Sequence, residues 1–194
     1  MDGGDDAHLR ETRVDTRVVF RGALLEVRRD TVRLPGGREA GREYIVHPGA
    51  VVVVPLRDDG RLVMERQFRY PLGRVLLELP AGKVDAGEGP LATAVRELAE
   101  ETGYRAREWA RAGVMHTAVA YSDECIEIWF ARGLTPGEQR LDDGEHLDVV
   151  YVDPADLDAM GARGEVTDAK TLVGLMWLQR WCAGAWALQW HPAP

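Results

Sequence analysis

Cysteine is nearly absent from this 194-residue chain: only Cys125 and Cys182 occur, a spacing that resembles neither a disulfide framework nor a zinc knuckle. Both are read as reduced thiols. No apolar run reaches membrane-spanning length, and Met1-Asp2-Gly3-Gly4-Asp5-Asp6 lacks the basic and apolar regions of a signal peptide. A cytoplasmic protein with no membrane partner is expected. Basic blocks are missing as well. The 24 Lys and Arg stand against 32 Asp and Glu, a formal charge of −8, which argues against a broad surface for a nucleic acid polymer. An acidic chain can still take a nucleotide locally, through a few arginines and a divalent cation that offsets phosphate charge. What remains is ordinary for a folded domain: 45% hydrophobic and 29% charged residues, in a chain long enough to bury a substantial core.

The pattern along the chain suggests three parts. Residues 1–12 are polar and acidic without apolar periodicity, as in a flexible tail. Residues 13–47 hold short β-rich pieces, Arg17-Val18-Val19-Phe20 and the alternating run from Leu24 to Leu34, followed by the turn signal Pro35-Gly36-Gly37. A small antiparallel extension is expected there. The main domain spans 48–194. Its run Ala50 to Leu56 is continuously apolar, as in a strand buried on both faces. Asp58-Asp59-Gly60 turns into a second strand, Arg61 to Phe68, and Arg74 to Leu79 supplies a third, followed by a loop from Pro80 to Gly89. Pro90 and Gly103 frame a helix over 90–102, packed through Leu91, Ala94, Val95 and Leu98. Strands recur near 110–116, 125–132 and 147–152, and helices over Pro154–Met160 and Asp168–Trp181. Trp177, Trp181, Trp186 and Trp190 are available for a core or a partner surface.

On the 90–102 helix, offsets of three and four residues place Glu97, Glu100 and Glu101 in one sector, which is expected to lie apart from the packed face. Three carboxylates repel one another without a cation. They are also hard ligands of the kind Mg²⁺ combines with water and phosphate oxygens. A bare Glu-x-x-Glu-Glu pattern is more often a solvated acidic face, and spacing alone does not decide.

The surrounding residues do. Gly82, five residues, Glu88, seven residues, then Arg96-Glu97-Leu98-Ala99-Glu100-Glu101-Thr102-Gly103-Tyr104 resembles the complete Nudix box. The only departure is Tyr104, at a hydrophobic position where an aliphatic residue is more usual. This resemblance implies an α/β fold, a Nudix α/β/α sandwich with a mixed sheet, to which the N-terminal antiparallel β extension is added. It further implies Glu97 and Glu101 as principal metal ligands, Glu100 as a further ligand or a bridge, and the carbonyl of Ala81 as another ligand. Glu88 would organise the loop or a third ion, and Arg96 would orient a neighbouring carboxylate rather than contact phosphate. Mg²⁺ is the expected ion, with Mn²⁺ a substitute.

Leu77-Glu78-Leu79-Pro80-Ala81-Gly82, Tyr121-Ser122-Asp123-Glu124, Arg42-Glu43-Tyr44 and Gln67-Phe68-Arg69-Tyr70 resemble the ADP-ribose pyrophosphatase branch of that family. The likeness implies that Arg69 touches the diphosphate, that Arg42 and Glu43 lie by the adenine, and that Glu124 helps bind the terminal ribose. Each has a plain alternative: a surface ion pair for Arg69, edge charges for Arg42 and Glu43, and an exposed loop acid for Glu124. In the loop Leu141 to Leu147, Glu145 is the preferred catalytic base or extra ligand, with Asp143 its rival. His146, His116 and His47 are read as surface imidazoles first. The branch also implies a homodimer built through the N-terminal extension. The expected reaction converts ADP-ribose to AMP and ribose 5-phosphate. Its rivals are hydrolysis of a GDP-sugar or a dinucleoside polyphosphate, a catalytically silent nucleotide-binding regulator, and a purely structural or interaction domain.

Overall fold

The computed structural model describes residues 6–194, so the first five residues of the expected tail lie outside the described residues. The chain divides into two compact units, one running to His47 and taking in His116–Glu124, the other made of Pro48–Met115 and Cys125–Pro194.

In the first unit Asp6–Leu9 forms a single 3-10 turn. Strands β1 (Thr12–Arg21), β2 (Glu26–Arg33) and β3 (Glu39–Val46) then make an antiparallel sheet in that order. β1 is longer than the four residues its apolar run marks, because it pairs with β2 from Thr12↔Arg33 to Arg21↔Glu26. Two register shifts on the way let its polar stretch stay paired. β3 shows little alternation and is specified by pairing, from Glu26↔Val46 to Arg33↔Glu39. The 116–124 segment ties to its end, where Ile45 N–H donates to the Tyr121 carbonyl at 2.9 Å and His47 N–H donates to Asp123 Oδ1 at 2.7 Å.

The second unit is built on a mixed sheet of β4 (Ala50–Leu56), β5 (Leu62–Arg69), β6 (Arg74–Glu78), β7 (Ala81–Lys83), β8 (Glu108–His116), β9 (Cys125–Arg132), β10 (Leu147–Val152) and β11 (His191–Pro192). The order is β10-β5-β4-β9-β8-β11, with β6 paired to β5 and β7 to β4. β4 and β9 run parallel, whereas β5 is antiparallel to β4, β6 and β10, β7 to β4, and β11 to β8. Helices α1 (Pro90–Thr102), α2 (Pro154–Ala162) and α3 (Ala169–Cys182) complete it.

The apolar run of β4 explains the layering. Val51 and Val53 point to one face and pack with Val63, Ala94 and Leu98 under α1. Val52 and Val54 point to the other and pack with Met64, Leu79, Leu157, Leu175 and Leu178 from α2 and α3. A helix layer on each face of a mixed sheet is the α/β/α sandwich. Four tryptophans pack at the margin of this core, each partly buried: Trp181 packs on Phe130 at 6.0 Å and Trp190 at 5.8 Å, and Trp177 on Trp186 at 4.2 Å between ring centroids.

Two local expectations need correction. The Pro80–Gly89 loop contains β7, which pairs Val51↔Gly82 through backbone groups and so needs no apolar signature. The acids of α1 are not wholly separate from its packed face. Glu101 lies three residues, about 60° round the helix, from fully buried Leu98, and is itself only 4% exposed.

Leu98 is fully enclosed between α1 and the sheet. Leu98→Ala should lower unfolding stability by about 3 kcal/mol, measured by urea denaturation monitored by circular dichroism; a loss under about 1 kcal/mol would mean that this helix face is not packed as described.

Candidate active site

Helix α1 begins without a side-chain cap, at extended Gly89 with Pro90 in its first turn, and ends at Gly103, whose φ of 75° permits a left-handed stop. Its N–H donates to the Ala99 carbonyl, and a side chain there would meet the Gly137 carbonyl oxygen at 2.8 Å. Both ends are therefore fixed by backbone geometry, which sets the phase of the three acids against β7.

Arg96 organises the outer acids. Its Nε and Nη2 donate to Glu88 at 3.1 and 2.9 Å, and its Nη1 donates to Glu97 Oε1 at 2.9 Å and Glu100 Oε2 at 3.0 Å. The Arg96 bonds, joined by a Thr93 hydroxyl bond, bring the Glu88 carboxyl down to about 2. Glu88 thus serves Arg96 and the loop. Glu97 goes the other way: burial raises its pKa, and Glu100 and Glu145 add to the rise against the pull of Arg96. Glu101 is deeper still, with Oε2 accepting the Ala81 N–H at 2.9 Å. Burial, then Glu65 and Glu97, push its pKa strongly up.

Gly82 is required by this crowding. A Cβ at that position would lie 1.9 Å from the Glu97 carboxyl, so β7 and α1 can approach only over a bare backbone. From the far side, Gln67 Nε2 donates to Glu145 Oε1 at 3.3 Å, and the charge of Glu145 is felt at both Glu97 and Glu101. Asp143 is exposed in the same loop. A cavity of about 310 Å³ opens beside Glu100, lined also by Arg96, Arg105 and Arg140.

Arg69 is engaged in a fork with Glu78, Nε to Oε1 and Nη2 to Oε2 at 2.8 Å each. Glu78 is 1% exposed and also holds Lys170, which pairs with Asp168 at 3.1 Å. Burial alone would raise Glu78, yet the two cations outweigh it and its pKa falls below the ordinary value. Arg69 keeps 38% of its side chain exposed, so donors outside the fork remain available. Glu65, Glu78 and Lys170 had no role in the sequence reading. Their signal was present: Glu65 follows three fully buried apolar residues and stands opposite Glu78 in the β5–β6 register, where two like charges require compensation.

The remaining candidates lie in the first unit. Arg42 pairs with Glu11, and Glu43 lies 3.7 Å from Arg29. Glu124 accepts the Thr117 hydroxyl and lies 3.5 Å from His47 Nε2. Each is held by neighbours within that unit.

No three His, Cys, Asp or Glu side chains among the described residues converge in ligating geometry, and Arg96 occupies oxygens of Glu97 and Glu100. The donor set nevertheless fits a divalent cation: it is all hard oxygen, its buried acids outnumber the local cations, and Mg²⁺ needs only one or two carboxylates besides water and phosphate. Glu97, Glu100, Glu101, Glu145 and the Ala81 carbonyl are the groups that would hold it.

With this geometry in view, a family model described as the NUDIX domain matches residues 46–172, and one described as the Nucleoside diphosphate sugar hydrolase N-terminal domain matches residues 11–45. The chain belongs to the Nudix family of hydrolases, which generally depend on divalent metal ions. It is 37% identical to the "ADP-ribose pyrophosphatase" of Bacillus subtilis, over 88% of this chain and 94% of that one. It is 34% identical to the "Methanol dehydrogenase activator" of Bacillus methanolicus, over 87% and 92%. A solved structure titled "Crystal structure of ADP compounds hydrolase" shares the fold with a TM-score of 0.81 at 24% identity, covering 91% of this chain and 96% of that one.

Gly82→Ala should fold, because the obstructing atoms are the movable end of Glu97, but should displace that carboxylate and cut divalent-ion affinity by about tenfold. Calorimetric Mn²⁺ titration checks it; unchanged affinity would mean that Glu97 does not need this approach.

Proposed function

We propose that the chain hydrolyses ADP-ribose to AMP and ribose 5-phosphate, using Mg²⁺ with Mn²⁺ as a substitute. The observation that carries this reading is the complete set of box acids, with Glu88, Glu97 and Glu100 bonded to Arg96 and Glu101 accepting the Ala81 N–H, in a chain whose likeness to a relative named ADP-ribose pyrophosphatase runs nearly end to end.

In this reading Glu97 and Glu101 hold the ion, Glu100 is a further ligand or a bridge, and the Ala81 carbonyl contributes another oxygen. Once bound, the ion neutralises phosphate charge and acidifies water. Arg96 keeps Glu97 and Glu100 oriented until then. Arg69, braced by Glu78, presents its free N–H groups to the diphosphate. Glu145 accepts a proton from the water whose oxygen attacks phosphorus, while the anhydride P–O bond breaks and its electron pair leaves with the departing phosphate. Gln67 steadies Glu145, and its electrostatic link to Glu97 and Glu101 supports it over exposed Asp143. Arg42 and Glu43 would lie by the adenine, and Glu124 by the terminal ribose.

We also assign residues 13–47 to a homodimerisation and substrate-binding extension of a Nudix domain at 48–194, in a cytoplasmic protein whose two cysteines are free. Support for the dimer comes from the exposed Val14, Val18, Val19, Phe20, Leu24 and Leu25 of the first unit, an apolar set that a partner would cover. A second reading, as an activator of a partner dehydrogenase, is favoured by the likeness to the relative bearing that name.

Glu101→Gln should lower Mg²⁺-dependent turnover of ADP-ribose by about 100-fold with folding intact; near-normal turnover in the folded variant would reject the ligand assignment. A panel of ADP-ribose, GDP-mannose, NADH and diadenosine polyphosphates, with products identified, should show preference for ADP-ribose. Preference for another member would overturn the substrate but not the metal site, and stimulation of a dehydrogenase without turnover of any of them would favour the second reading. Equilibrium sedimentation should give twice the chain mass, and monomer alone at working concentration would reject the dimer.

A further inference from the structure

Glu65 is the least accommodated side chain of the second unit. It stands in β5 immediately after Leu62, Val63 and Met64, all fully buried, and is itself 0% exposed. Neither of its carboxylate oxygens has a hydrogen-bond partner, a condition that native structures rarely tolerate without a missing ion or water. The cations nearest to it are committed elsewhere. Arg69 is forked onto Glu78, and Lys170 is held by Glu78 and Asp168. The acidic neighbours of Glu65 are Glu78, opposite it in the β5–β6 register, and Glu101, another buried carboxyl, whose Oε2 accepts the Ala81 N–H.

Strand period explains this placement. Val63 packs under Ala94 and Leu98 of α1, and Glu65, two residues on, points the same way, toward the turn of the helix that carries Glu101. Two acids from different layers are thereby pressed together where the fold could have placed an apolar pair. Such an arrangement is strongly unfavourable for two charged carboxylates, and a shared proton or a cation between them relieves it.

We propose that Glu65 is a metal ligand contributed by the sheet, and that Glu65 and Glu101 together hold one divalent cation at the inner end of the acidic set. Two carboxylates are what Mg²⁺ takes from a protein when water and phosphate fill its other positions. The inference rests on the assignment of Glu101 as a metal-holding residue. It adds that the site reaches through α1 into β5, where no motif would place a ligand.

The test uses Mn²⁺ alone, titrated into the full chain without substrate and followed by calorimetry and by the electron paramagnetic resonance signal of free Mn²⁺. Glu65→Gln, equal in size but uncharged, should weaken the tightest Mn²⁺ binding by about 10- to 100-fold and shrink the Mn²⁺-induced rise in Tm, with a metal-free Tm no lower than that of the parent. Glu65→Val, matching its apolar neighbours, keeps the test open if the glutamine variant misfolds, and should show the same loss. Parental Mn²⁺ affinity in either folded variant overturns the proposal. If Glu101→Gln loses affinity while Glu65→Gln keeps it, only this inference fails. If Glu101→Gln also keeps it, the assignment on which the inference rests fails as well.

Discussion

Arg96 grips Glu88, Glu97 and Glu100 with a single guanidinium, and the site of the second unit depends on that grip. Glu97 and Glu100, on one side of the helix, would otherwise splay apart. A planar fork with five donors can satisfy several carboxylates at once, which a lysine ammonium cannot do with the same orientation. The cost is that the same oxygens are the ones a cation would use. In the proposed reading Arg96 is thus a placeholder as well as a brace, and the acids would exchange part of its hold for a stronger positive charge.

Beneath the helix a second charge problem is solved differently. Glu65 and Glu78 stand opposite each other on adjacent strands, and Glu78 is the one that bonds the nearby cations, Arg69 from β5 and Lys170 from α3, whose charges reach Glu65 without a bond. The fork leaves Arg69 oriented, while Lys170 shares the neutralisation of Glu78 so that the charge of Arg69 is not wholly spent within the fold. Glu65 and Glu101 are left to face one another. In the proposed reading fold stability and metal binding are linked here, since an ion that binds only the folded chain relieves the burial of two facing acids that the folded chain alone must bear.

Much of this was legible from residue order because the signals are local. The limits of α1 follow from Pro90 and Gly103, and the double-sided burial of β4 follows from four consecutive valines. The box acids lie within one helix, so spacing brings them together. Other features have no local signal. β7 pairs by backbone alone, β1 outruns its apolar stretch, and Arg69 meets Glu78 only because a turn folds β6 back on β5.

The order of residues by itself determined the helix, its acids, the glycine that admits them and the family to which the chain belongs, since each rests on contacts a few residues apart or on a contiguous motif. Tertiary structure alone decided how deep those acids lie. Glu101 is buried because α1 docks on β4 and β5, Lys170 reaches Glu78 across 92 residues of sequence, and Glu65 becomes a ligand candidate only when the strand is laid beneath the helix. Burial and electrostatic neighbourhood are properties of packed layers, and no spacing within one element can specify them.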